Sequence, residues 1–366
     1  MPDIVHILDK ELLMREDLIR LLSVNSKAER DLIFQKAAKV RSENVGKSIY
    51  LRGLIEFSNR CEKNCLYCGI RTGNAQVERY CLEEDEVIAC AQHAFENNYG
   101  SVVIQSGERT NEDFIIKIDN LVRKIKILSH GKLGITLSCG DQSKETYQRW
   151  FDSGAHRYLL RFEASDPDLY YKIHPNNKKH FLLNRLNSLQ YLKETGYQVG
   201  SGMMIGLPGQ TIENLADDLL MLKMLNVDMV GMGPYIEHKD TPLFEKRDQL
   251  LPKDERLELS LLTISVLRIL MPDINIAAAT ALDSLTDDAR LQAIRAGANV
   301  LMPNLTPLKY RENYFLYENK PYLTEADALI KKVNESGIMN GYQIRLGEWG
   351  DSKHFARRIK GLGFDS

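Results

Sequence analysis

The chain has 366 residues, with 48 Lys and Arg against 50 Asp and Glu and a formal charge of −2 at pH 7. Hydrophobic residues make up 43% and charged residues 27%, enough apolar surface to offset chain entropy, which excludes intrinsic disorder. The near-neutral balance, without basic runs, excludes a general nucleic-acid binder.

The N-terminal stretch, 1–17, mixes charges with apolar residues and lacks the unbroken apolar core of a signal peptide. Over 8–43, Leu12, Leu13, Leu18, Leu21 and Leu22 recur at helical spacing and predict two or three helices ahead of the main domain. From residue 49 strands and helices alternate. Strands are predicted over 49–57, 101–107, 134–140, 157–164, 198–205, 228–235, 275–282 and 299–303. Helices are predicted over 83–98, 111–129 (capped by Asn111), 143–153, 180–195, 211–226, 252–271, 287–296 and 325–336. Most of them are expected to end at glycine, in the left-handed conformation that closes a helix. The longest apolar run, 257–271, is broken by Glu258 and Arg268, so it reads as a buried amphipathic helix and not a membrane span. A cytoplasmic monomer is expected.

Near-continuous apolar strands alternating with helices imply a parallel sheet covered on its outer face. Eight such units predict an α/β fold, a (β/α)8 TIM barrel, with a doubly wound open sheet as the alternative. The expected division is a helical extension over 1–48, the barrel over 49–305 and a C-terminal extension over 306–366. Residues 338–366 are expected to pack over one barrel end.

Cysteines stand at 61, 65, 68, 81, 90 and 139, with none in the last 227 residues. Disulfide frameworks are not so lopsided, and the clustering points to a reducing compartment and a metal site. Cys61, Cys65 and Cys68 form a C-x3-C-x2-C triplet directly after the first strand, where barrel loops build active sites. Three thiolates within eight residues suit zinc or an iron–sulfur cluster. A structural zinc site wants a second close pair of ligands, and Cys81, Cys90 and Cys139 do not supply one. In a [4Fe–4S] cluster three ligands leave one iron open. Cys81 and Cys90 read as structural, and Cys139 as a small buried hydrophobe, with a reactive thiol as its alternative. The eight histidines show no metal-ligand spacing.

The pattern C-x3-C-x-(aromatic)-C after the first strand of a barrel resembles the radical S-adenosylmethionine (SAM) superfamily. The resemblance implies that Cys61, Cys65 and Cys68 hold a [4Fe–4S] cluster whose open iron chelates the amino and carboxylate groups of SAM. Reduction would then split SAM to methionine and a 5′-deoxyadenosyl radical. Other superfamily features fall on matching positions. Ser106-Gly107-Glu108 resembles the element contacting the methionine amino group, and Glu163 the carboxylate facing the ribose. Arg185 resembles the arginine that pairs with the SAM carboxylate. Tyr67 resembles the aromatic near the adenine. Met204, within Gly202-Met203-Met204-Ile205-Gly206, belongs to the Gly-rich strand against the adenosyl group.

Across the chain, the runs IEFSNRCEKNCLYCGIR, VVIQSGE, GITLSCG, HRYLLRFEAS, GLPGQT, DMVGMGPYI and GANVLMPN resemble the HydE family of [FeFe]-hydrogenase maturases. They resemble biotin synthase and methylornithine synthase (PylB) less. The HydE resemblance implies a substrate cavity with Thr136, Arg161, Thr280, Tyr310 and Tyr314, and with Met232 and Met302 nearby. Arg161 either holds an anion bidentately or pairs with Glu163. It also implies an organometallic iron–cysteine synthon as substrate, delivered by the maturase HydG, and a product passed towards the scaffold HydF. The alternative is a mutase or synthase acting on a small amino-acid-like substrate. The chain departs from the family in two ways. A second cysteine group near the C-terminus, present in some members, is absent, and Leu137-Ser138-Cys139-Gly140-Asp141 stands where others read LSLGE.

Overall fold

The computed structural model describes residues 3–318, 320, 326–337 and 341–361. Its strands are β1 (Ser48–Ser58), β2 (Ser101–Ser106), β3 (Gly134–Ser138), β4 (Arg157–Leu159), β5 (Gln198–Ser201), β6 (Met204–Ile205), β7 (Met229–Pro234), β8 (Asn275–Ala278), β9 (Val300–Leu301) and β10 (Gln343–Arg345). The sheet runs β1-β2-β3-β4-β5-β7-β8-β9 and closes where Tyr50 and Leu51 of β1 meet Val300 and Leu301. Every ladder is parallel, and the result is the expected (β/α)8 barrel, not an open sheet.

Helices Glu84–Glu96, Glu112–Leu128, Lys144–Asp152, Leu182–Thr195, Ile212–Met224, Lys253–Leu270 and Ala289–Ala296 cover the outside. Each turns an apolar stripe inward, for example Phe114, Ile118, Leu121, Val122 and Ile125. Three helices, Ile4–Leu8, Arg15–Leu22 and Lys27–Asn44, precede β1. No helix among the described residues is long and apolar enough to cross a membrane.

Several boundaries differ from expectation for identifiable reasons. The fourth strand is regular only over Arg157–Leu159 and resumes as a single bridge at Glu163, which takes a left-handed conformation, φ 71°. The fifth splits into β5 and β6 at Gly202, where any Cβ would lie 1.9 Å from the Gly231 carbonyl. Glycine closes helices less often than expected. Gly196 and Gly297 cap their helices at positive φ and Gly154 (φ 113°) follows the cap Ser153, whereas Ser129 and Leu225 cap theirs. Asn111 sits at the N-cap position but makes no side-chain cap bond. A short helix, Pro167–Ile173, adds to the predicted set; Asp166 caps it and Pro167 begins it, a start signal present in the sequence.

The tail adds an element no periodicity announced. β10 pairs with the first residues of β1, and Gly350-Asp351-Ser352 closes the barrel floor. There Arg157 Nη1 donates to Asp351 Oδ1 at 2.8 Å and Asn275 Nδ2 to the Gly350 carbonyl at 2.8 Å. The Ser352 amide donates to Gln198 Oε1 at 2.8 Å.

Candidate active site

With the floor closed, the open end is the C-terminal mouth, where β1 gives way to the cysteine loop. The loop's shape is set by bonds to its backbone. Arg79 donates to the carbonyls of Asn59 and Ile70 (2.7 Å each), Arg71 (2.6 Å) and Asn74 (3.0 Å), stapling both sides together. The Leu66 amide reaches the Ile173 carbonyl at 2.9 Å, and the Asn64 amide donates to His180 Nε2 at 2.9 Å. Gly69 lies so close to the 306–318 segment that a Cβ would sit 1.9 Å from the Phe315 carbonyl. Its amide donates to the Leu316 carbonyl at 3.0 Å.

One cavity inside this mouth is lined by Cys61, Cys65, Cys68, Tyr67, Ser106, Gly107, Glu108, Glu163, Arg185 and Met204, together with Arg161, Thr280, Tyr314 and Met302. Thr136 lies elsewhere: it sits low on β3, where its hydroxyl accepts from Arg157 Nε at 3.1 Å. Tyr310 is outside too, stacked on Tyr80 at 4.9 Å with its hydroxyl donating to Glu86. Met232 is core. Cys139 is fully buried in the core, and Cys90 is buried beside the Leu305 carbonyl.

Arg161 meets Glu163 at 2.8 Å and donates to the Met203 carbonyl at 2.9 Å, so the ion-pair alternative is realised. Burial raises the Glu163 carboxyl above its ordinary range, while Arg161 and Arg185 pull it down. Beside the cysteines, Lys63 Nζ lies 3.1 Å from both Glu108 Oε1 and Asp141 Oδ2, and Arg185 Nε 3.2 Å from Asp141 Oδ1. Burial and then the neighbouring Asp141 push the Glu108 carboxyl up to about 7. Burial alone would lower the Lys63 ammonium, but Glu108 and Asp141 outweigh it and hold it above its ordinary value. Lys63 and Asp141 escaped the sequence reading, although Lys63 lies inside the triplet and Asp141 follows Gly140. Glu56 and Gln105, which also line the cavity, lie inside the HydE-like runs without having been singled out, and Tyr317 and Lys320 lie outside any such run.

A family model described as "Radical SAM superfamily" matches residues 55–222. The "[FeFe] hydrogenase maturase subunit HydE" of Thermotoga maritima is 41% identical over 327 residues, 89% of this chain and 90% of that protein. The chain belongs to the HydE family of radical SAM enzymes. The 3-methylornithine synthase of Methanosarcina acetivorans is 26% identical over 87% of this chain and 86% of its own. A crystal structure of methylornithine synthase (PylB) superposes with a TM-score of 0.76 at 24% identity, covering 94% of this chain and 97% of that one, which shows the shared fold.

Membership of the family implies a [4Fe–4S] cluster and SAM, and the residues present fit both. Cys61, Cys65 and Cys68 line one cavity, a three-thiol set of the soft donors that iron–sulfur clusters take. The Glu108 amide points at Cys61 Sγ from 3.3 Å, a donor aimed at a sulfur ligand. Gly107 lets the chain approach: a Cβ there would be 2.5 Å from the Arg60 carbonyl and 2.8 Å from Cys61 Cβ. Tyr67 stands edge-on to His174 at 5.3 Å and packs with Met204 in a small apolar cluster, a flat wall of the kind a purine ring meets.

Proposed function

We propose that this chain is a hydrogenase maturase that acts on an iron–cysteine synthon during assembly of the [FeFe]-hydrogenase di-iron subcluster. The observation carrying this reading is the convergence of the cysteine triplet and the SAM-type contacts on one cavity, in a chain 41% identical to a HydE maturase. Cys61, Cys65 and Cys68 would hold the cluster. Arg185 and Lys63 would orient the amino-acid end of SAM, Glu163 its ribose and Tyr67 its base. When bound, the two cofactors supply one-electron chemistry, the reductive scission of SAM. The chain's own part is to position the reacting groups and, with the barrel wall and the 306–318 segment, to keep water from them. Arg161 and Thr280, on the substrate side, would hold the ligand's polar groups. A HydG-type maturase would supply the synthon and a HydF-type scaffold receive the product. Both exchanges are expected in the cytoplasm, with this chain as a monomer.

The test is anaerobic reconstitution with iron and sulfide, followed by turnover with reductant and SAM. The expected outcome is about four irons per chain for a single cluster, 5′-deoxyadenosine formed only with reductant, and an adenosylated product from the synthon. Cys65→Ala should abolish cluster and cleavage together. A second reading, a carbon-skeleton enzyme, draws on the methylornithine synthase match over 87% of the chain. Product from lysine and none from the synthon would establish that reading in place of the first.

A further inference from the structure

The cavity holds two charged side chains that no cofactor contact uses. Glu56 stands on β1, in register with Gln105 of β2, and is 1% exposed. Lys320, 4% exposed, reaches in from the C-terminal segment. Their charged ends are in direct ion-pair contact. Lys320 Nζ also donates to the Tyr314 carbonyl at 2.9 Å, and Glu56 Oε2 accepts from Asn304 Nδ2 at 3.1 Å. Both residues line the cavity that holds the cysteine triplet.

Anchoring the segment does not require this pair. Backbone bonds already tie 313–318 down: Asn59 Nδ2 to the Asn313 carbonyl at 2.6 Å, Gly69 to Leu316 at 3.0 Å and Glu318 to Glu237 at 2.9 Å. A buried ion pair is a poor stabiliser, because desolvation consumes most of its attraction and an apolar pair of similar volume does as well. Its value lies in what it can recognise. An ammonium has three donors and a carboxylate about four acceptor sites, so each partner has bonding capacity beyond the other. As a unit the pair is neutral. A ligand with only a carboxylate, or only an ammonium, would leave one buried charge unmatched, whereas a zwitterion brings one of each.

We infer that Glu56 and Lys320 form the receptor for a free α-amino-acid end of the substrate, Lys320 taking the carboxylate and Glu56 the ammonium. This rests on the reaction proposed above and adds to it the substrate class and orientation, with Arg161 on the β4 side left for the ligand's other end.

The test is calorimetry on the anaerobically reconstituted full chain with SAM present. The probes are L-cysteine, 3-mercaptopropionate (no ammonium) and cysteamine (no carboxylate). L-cysteine should bind about 30-fold or more tightly than either analogue. Glu56→Gln keeps the shape and an oxygen to accept from Lys320, and gives up the bond from Asn304 Nδ2. It should erase the preference over 3-mercaptopropionate while the preference over cysteamine stays, and Lys320→Gln should do the reverse. A structural anchor would weaken all three probes together, so that crossed pattern separates recognition from folding. Melting temperature and SAM affinity serve as controls. If L-cysteine binds and neither variant changes its selectivity, the inference is overturned and the maturase reading stands. If lysine replaces L-cysteine as the tight ligand with the same crossed pattern, the inference stands and the maturase reading falls.

Discussion

Asp218 lies on the helix Ile212–Met224, 1% exposed, and one of its oxygens accepts the Ser165 amide at 2.6 Å. Its other oxygen is buried without a partner. Burial pushes this carboxyl up to about 7, from 3.8 in a free side chain. Between those values the folded chain holds a proton that the unfolded chain has lost, so stability falls as pH rises through the window. Asp218→Asn keeps the Ser165 bond and removes the buried charge. We expect it to stabilise the protein by on the order of 2 kcal/mol at pH 8 and by less than half of that at pH 5. Urea midpoints at the two pH values check this, and an equal gain at both would contradict it. Gly107 gives a functional counterpart. Gly107→Ala brings a methyl within 2.5 Å of the Arg60 carbonyl and 2.8 Å of Cys61 Cβ, so the first ligand must move. Iron bound after reconstitution should fall several-fold while the barrel melts close to wild type; full iron loading would show that the close approach is dispensable.

At the scale of elements, the cysteine loop depends on a residue outside it. Arg79 alone satisfies four carbonyls, those of Asn59, Ile70, Arg71 and Asn74, which bracket the triplet on both sides. Arg79→Met leaves them without their donor, costing about 1–3 kcal/mol locally. The expected result is a chain that keeps all three cysteines yet loses iron quickly on gel filtration, with far-UV circular dichroism unchanged. Elements also decide how much was legible. The strand and helix alternation was readable because apolar period and length differ between the two, and the triplet because three ligands lie within eight residues. Arg79 was not readable, since an arginine bonding carbonyls has the same local pattern as one in solvent. The tail was expected over one barrel end and lies there, but the plug's contacts were not readable: Gly350, Asp351 and Ser352 carry no apolar period, and their partners Arg157, Asn275 and Gln198 begin strands far away in sequence. Thr136 was misplaced because a strand's residues alternate in facing but also differ in height. Its hydroxyl meets Arg157, at the start of β4, and so belongs to the floor rather than the mouth.

For the whole molecule, the cavity concentrates charge where the barrel excludes water. Lys63, Arg161, Arg185 and Lys320 face Glu56, Glu108 and Glu163 on its lining, and the three thiols join them. Burial, and then the neighbouring Cys61, push the Cys65 thiol up to about 12. Burial and the other two cysteines hold the Cys68 thiol well above its ordinary value, and burial raises Cys61 as well. Shifted upward in this way, the three thiols favour their protonated forms, while metal ligation requires thiolates. Loading a cluster must displace those protons, so the apparent affinity for the cluster should rise with pH, by about three powers of ten per unit while all three thiols remain protonated. A pH-stat at pH 8, during transfer of a [4Fe–4S] cluster carried on acidic aromatic thiolates that leave without taking up a proton, measures the release directly. About three protons per cluster are expected for the wild type. Release of one proton or fewer by the wild type would mean that the thiols are already ionised, or that the triplet does not ligate as a unit.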